Sequence, residues 1–234
     1  MRHSDNQGTG DCRRGCAEAR ACLHDRPITV AAKKLAAHTG VSWEILSDWD
    51  RFVTYVQQEL TRQVINVENS ELILGDGTAT HLTGFLSSSG ILTATIGTDT
   101  ALDAVEKEIA SLRTGAALAE ANLVVMHPST FCAVRRSKDS QGRYLLNADP
   151  SAEQANQVWG IDVVATTQIA ASTTLVLDTN KFGFVVLREA IVLRTGSDGN
   201  DFTSNIVRFV CEERLNLAVE RLSAVLSLTG LPTA

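Results

Sequence analysis

Residues able to do chemistry are thinly spread in this sequence. Near its start, Cys12, Cys16, Cys22 and His24 lie close together, and thiolates with imidazole are the usual ligands of zinc. Their spacing is not a finger pattern and no second ligand pair follows, so a loosely ordered tail without metal is the expectation. Asp76 sits in Gly75-Asp76-Gly77-Thr78, which lacks the lysine and hydroxyl ending of a phosphate loop. His127 precedes Cys132 without a third group to orient it, so a buried structural cysteine beside a turn histidine is expected there. His38 and His81 stand alone and are expected to be structural. Glu212, Glu213 and Arg214 interrupt an apolar stretch, as a salt-bridged face or an intersubunit contact would. No nucleophile elbow, cofactor loop or metal set is visible. The expectation is therefore no catalytic residue, no cofactor and no metal.

Composition limits the classes further. Hydrophobic residues make up 44% and charged residues 21%, which supplies an ordinary core. Lys plus Arg is 21 against 27 for Asp plus Glu, a net charge of −6. Phosphate contacts need concentrated cations, so no sequence-specific nucleic-acid partner is expected. No apolar run approaches the ~18 residues of a membrane span. The first residues are polar and basic without an apolar segment, so no secretory signal is visible. Five cysteines, an odd number, argue for a reducing compartment.

The elements that would position these residues follow from periodicity. The stretch 49–74 carries Phe52, Val56, Leu60, Val64 and Val67 at steps of four, four, four and three, which predicts a long amphipathic helix. Ser47 or Asp48 would cap its start, and the glycines of 75–77 would end it in left-handed geometry. Before it, 28–41 reads as a strand and Ser42 leads a short helix through WEIL. After it come a loop with β character at 82–96 and a helix opened by Asp99 carrying Leu102, Val105, Ile109 and Leu112. LVVM at 123–126 predicts a buried strand, followed by a short helix to Val134 and a hairpin at 138–144 turning at Gly142. Further strands are read at 158–165, 174–178 and 182–187. A final one spans 202–219, where Val207, Phe209 and Cys211 alternate with Arg208 and Glu212. The fold class is α+β, with an extended body laid on the long helix.

In this order the elements resemble the major capsid proteins of tailed bacteriophages, the Hong Kong 97-like fold also used by encapsulin shells. The resemblance runs from about Ile28 to Leu228. It rests on VSWEILSD, the long helix, GDGT before LTGFL, HPSTFCAVRRSKDSQGRYLL, VWGIDVVATTQI and NDFTSNIVRFVCEERLNLAV. It implies a peripheral domain at 28–98 and 182–228 with the spine helix at 49–74, and an axial domain at 99–181. Residues 1–27 would be an unrelated disordered tail and 229–234 a C-terminal tail. The stretch 28–41 would be the returning strand of the family's extended loop.

The resemblance implies a structural role: a prophage or bacteriophage subunit that self-assembles into an icosahedral shell, found in the virion capsid or otherwise in the bacterial cytoplasm. Partners would be copies of the chain in hexamer- or pentamer-like capsomers, together with scaffolding protein, protease and portal. Some relatives join subunits by an isopeptide bond between a loop lysine and an asparagine, assisted by a glutamate. Asn205 and Glu212 match the last two, while no lysine precedes Thr29 and Lys33 and Lys34 lie further along the strand. Family members also carry an arm and an outgoing loop half ahead of the returning strand. The expectation is thus a shortened subunit that stays monomeric or forms small oligomers, with weak rings at high concentration rather than closed shells. An encapsulin-like shell holding cargo is the alternative, and a small enzyme or adaptor reusing the fold is the alternative of another class.

Overall fold

The computed structural model describes residues 29–146 and 156–233; the expectations for residues 1–27 lie outside them. Among the described residues regular structure begins with strand β1 (Lys33–Ser42), and residues 29–32 of the predicted strand 28–41 lie outside it. The later start has a cause in its neighbour. Backbone pairing stops at Lys33, and the Asn216 side chain, rather than a strand partner, donates to the Ala31 carbonyl at 2.6 Å.

Ser42 caps helix α1 (Trp43–Asp48) by accepting from the Ile45 N–H at 3.4 Å, as a short hydroxyl should. The long helix α2 (Asp50–Leu74) follows, but neither Ser47 nor Asp48 caps it. Both belong to α1, and Trp49 makes the junction with no side-chain cap, donating its N–H to the Ile45 carbonyl at 3.2 Å. Val56, Leu60 and Val64 are buried as predicted, whereas Val67 is exposed. Steps of four from Val64 continue through Glu68 to Leu72, and a step of three turns Val67 about 60° off that stripe. The helix stop also differs from expectation. Gly75 has φ −47°, and the left-handed glycine is Gly77 at φ 75°. Gly75 is needed for close approach instead. A Cβ there would collide with the Leu82 carbonyl oxygen and lie 2.5 Å from that of Glu71.

Strand β8 (Ile206–Val219) is the centre of a three-stranded antiparallel sheet, order β1-β8-β7, with β7 (Gly183–Gly196) on its other side. Register runs from Ser42↔Ile206 to Lys33↔Leu215 on one flank, and from Gly183↔Val219 to Gly196↔Arg208 on the other. Strand β7 thus extends well past 187, and β8 begins at Ile206 rather than at Phe202. Residues before Ile206 fold into a turn in which Ile206 and Ser204 both donate to the Asp201 carbonyl.

The second sheet is six-stranded: β2 (Leu92–Thr95), β9 (Val225–Thr229), β6 (Thr173–Leu177), β3 (Leu123–Met126), β5 (Ile161–Ala165) and β4 (Gln157–Val158), in that order. β2, β9, β3 and β5 run one way and β6 and β4 the other. The predicted strand 158–165 divides because Trp159 and Gly160 both take positive φ. Strand β9 was not anticipated. It joins β2 and β6, so the stretches 92–95 and 225–229 share the sheet of 123–126, across the expected divisions at 98/99 and 181/182.

Helix α3 (Ala101–Thr114) packs here with Leu102, Val105, Ile109 and Leu112 all buried, capped by Thr100 rather than opened by Asp99. Helix α4 (Pro128–Arg135) begins with proline at its first turn, where no N–H is needed. The one-turn helix α5 (Thr179–Phe182) then leads into β7. Lys138 bridges Tyr144 around Gly142 at φ 82°, as the predicted hairpin requires.

Candidate functional site

Asn205 ends the turn that precedes β8, with φ 55° in the left-handed region. Asparagine tolerates that geometry better than most side chains. Its carbonyl accepts from the Trp43 N–H at 2.7 Å, which fastens the start of α1 to this turn. Beneath it, Asp201 is buried and accepts from Arg208 through both Nε and Nη2, and from the Asp198 N–H at 2.9 Å. The Arg208 bonds hold the Asp201 carboxyl below the usual range, with the Asp198 N–H adding to them. A cleft of about 470 Å³ opens at the same place, lined by Trp43, Asp201, Phe202, Asn205 and Ile206. Phe202 is 84% exposed and Trp43 63%, so the cleft carries unusually open aromatic surface.

Glu212 lies seven residues further along β8, on the order of 20 Å away at extended-strand rise. One chain therefore does not bring Asn205 and Glu212 together. Glu212 accepts from Lys34 Nζ at 2.7 Å, and that bond lowers its carboxyl from the ordinary value. Lys33 donates to the Ala79 carbonyl, Lys107 to Asp99 and Lys181 to the Leu118 carbonyl, while the Lys138 ammonium sits 4.7 Å from the centre of the Tyr144 ring. Every lysine of the sequence is thus engaged within its own chain.

The other residues singled out by type separate in the same way. His127 caps α4: its Nδ1 accepts from the Ser129 N–H at 3.2 Å and lies 2.7 Å from the Ser129 hydroxyl. Cys132 is exposed rather than buried, because α4 turns Thr130, Phe131 and Val134 inward. Asp76 accepts from the N–H and hydroxyl of Thr78 at 2.9 and 2.8 Å, a local turn of the kind Asp favours, and the backbone bond leads in lowering its carboxyl. His81 is not isolated: its Nδ1 is 2.7 Å from Glu71 Oε1. His38 lines a groove between β1 and α2 with Thr39, Ile45 and Tyr55. Among the described residues there is no group of three or more His, Cys, Asp or Glu side chains able to hold a metal. Among them, too, no helix is long and apolar enough to cross a membrane.

Sequence reasoning missed Glu213. Its neighbours Glu212 and Arg214 suggest a charged face, yet alternation along β8 turns it inward between Cys211 and Leu215. It is buried, and among the described residues its Oε2 has no hydrogen-bond partner.

A long helix laid on a three-stranded sheet, joined to a six-stranded lobe, defines a shell-protein fold of the Hong Kong 97-like kind. Residues 26–230 match the phage capsid family, and the chain belongs to that family. It is 28% identical over 204 residues to the major capsid protein of Enterobacteria phage HK97, covering 86% of this chain and 52% of that one. The chain thus spans about half the length of that curated relative. Among solved structures it resembles the capsid of a native GTA particle at TM-score 0.73 and 23% identity, covering 94% of this chain and 81% of the other. A virus-like particle from Pyrococcus furiosus matches at TM-score 0.60 and 16% identity, over 84% of this chain and 76% of that one.

Proposed function

We propose that the chain is a major capsid subunit that works by self-association into a shell and catalyses no reaction. The observation that carries this is the family match across 26–230, which takes in every strand and helix described above. The matched relatives are capsid proteins, and a shell subunit needs surfaces rather than a reactive centre. Trp43, Trp49, Tyr55, Phe184 and Phe202 are each more than half exposed, and aromatic side chains supply large contact area at subunit interfaces. A stable contact needs roughly 1,200–2,000 Å² of buried surface, so several such patches have to act together.

In this reading α2 and the β1–β8–β7 sheet form the peripheral domain. The six-stranded lobe forms the axial domain around capsomer centres, now with β2 and β9 assigned to it. The partners are further copies of the chain, with scaffolding protein, protease and portal as the accessory proteins to test. The place of action is the virion capsid. No observation favours the encapsulin-like alternative over the phage one.

Negative-stain micrographs of the purified chain, alone and with co-expressed neighbours from its own genome, test the proposal. Rings or shells built from this chain are expected. Fields of isolated single subunits under every condition would contradict it.

A further inference from the structure

The seam between α2 and the three-stranded sheet is apolar at both ends and broken in its middle by carboxyls. On α2 the steps of four run Val56, Leu60 and Val64, then Glu68, then Leu72. On β8 the inward positions run Phe209 and Cys211, then Glu213, then Leu215. Both stripes break at the same level. Glu213 is 6% exposed, and Leu35 stands opposite it on β1. Just beyond, Leu35, Leu82 and Leu215 close an apolar cluster against Leu72.

Among the described residues no cation forms an ion pair with Glu213, and several nearby cations are engaged elsewhere. Lys34 of β1 bonds Glu212 on the other face, and Lys33 bonds the Ala79 carbonyl. His81 of the 75–84 loop is held by Glu71 of α2, and on β7 Arg194 pairs with Glu189. Arg214 follows Glu213 on β8 and so points to the opposite face. Cys211 lies on the same face as Glu213, and burial pushes its thiol up, which keeps it neutral. Among the described residues the charged group that acts on Glu213 is Glu68, a like charge.

An ionised carboxylate in such a place loses water and gains no partner, which is costly. Protonation removes both the unpaired charge and the repulsion. Desolvation first, and the Glu68 charge second, raise the Glu213 carboxyl above its ordinary value.

We propose that Glu213 and Glu68 form a proton-operated seam between α2 and the β1–β8–β7 sheet. With Glu213 protonated, the second half of α2 lies closed on the sheet. With Glu213 ionised beside Glu68, that half is pushed away while Val56, Leu60 and Val64 keep the first half seated. A carboxyl raised in the folded chain contributes stability that is fully present below its unfolded value. That stability is lost as pH rises through the folded value.

The test is the thermal midpoint of the full chain and of Glu213→Gln, from about pH 4.5 to about pH 8. Glu213→Gln is expected to raise the midpoint by about 2–4 °C at the upper end and by nothing at the lower. Amide exchange, corrected for its intrinsic pH dependence, should speed up over residues 68–74 of the unsubstituted chain as pH rises, and over 53–60 should not. Glu213→Gln should abolish that response. Parallel midpoint curves, or an unchanged exchange response, would overturn the proposal. If Glu213→Gln fails to fold, Glu68→Gln, at a half-buried position, must weaken the same response, and an unaltered response there would overturn it as well.

Discussion

His81 and Glu71 hold the 75–84 loop to the end of α2. The imidazole Nδ1 lies 2.7 Å from Glu71 Oε1, and the second carboxylate oxygen accepts from the Leu82 N–H at 3.0 Å. The Glu71 bond raises the His81 pKa from its ordinary value, with the charge of Glu71 adding to it. A histidine raised in this way stabilises the fold fully below its unfolded value and loses that contribution as pH rises through the folded value. His81→Ala should therefore lower the thermal midpoint near pH 6 and leave it nearly unchanged near pH 9, well above the ordinary histidine range. An equal loss at both pH values would mean that packing, not charge, holds the loop.

The inner face of α2 is tested by a pair of substitutions. Leu60 is 2% exposed and Gln58 is on the outer face. Leu60→Asp should cost at least the ~2–5 kcal/mol of a buried leucine truncation, because it also buries a carboxylate. Gln58→Asp should change stability by no more than about 0.5 kcal/mol. Equal denaturant midpoints for the two would show the helix to be faced wrongly.

Gly75 and Gly84 let the helix end and the following loop touch. Gly84 donates to the Gly75 carbonyl at 2.8 Å, and a Cβ on Gly84 would lie 2.7 Å from the Gly75 nitrogen. Gly84→Ala should cost about 1–3 kcal/mol by overpacking against backbone that has little room to move. Gly196→Ala, where no atom lies within 4 Å of the added carbon, is the control and should be near neutral. Urea unfolding of the two variants decides it.

Covalent joining through Asn205 would have to displace a lysine from an existing contact, since each one is engaged within its own chain. A single monomer band is expected on a denaturing gel, even from concentrated or aged material. A ladder that survives boiling and reductant, and is lost in Asn205→Ala, would contradict this.

Much of this architecture is legible in the sequence wherever one periodicity meets one buried face. Leu102, Val105, Ile109 and Leu112 mark α3 because they share one buried side, and the unbroken apolar run LVVM marks β3 because Val124 and Met126 are buried while Leu123 and Val125 also pack against the core. The full length of strand β7 is hidden in the sequence because Phe184, Val185 and Leu187 are exposed and the alternation is lost beside its bulge. Strand β9 was missed because a brief apolar run near the chain end has no local signal for pairing with strands at 92–95 and 173–177. Glu213 was within reach: counting by two from Phe209 places it inside. Its formal charge instead suggested a surface pair. What spacing does not reveal is that, among the described residues, no cation follows it inward.

Sedimentation velocity of the purified chain over a wide concentration series tests the self-association account most directly. The account predicts a boundary that moves from single subunits to discrete multi-subunit species as concentration rises, with the exposed aromatic surfaces at Trp43 and Phe202 contributing. Phe202→Ser should shift that transition to higher concentration without altering the monomer's thermal midpoint. A single monomer boundary across the whole series, unchanged by added scaffolding protein, would contradict the claim that this chain is a shell subunit.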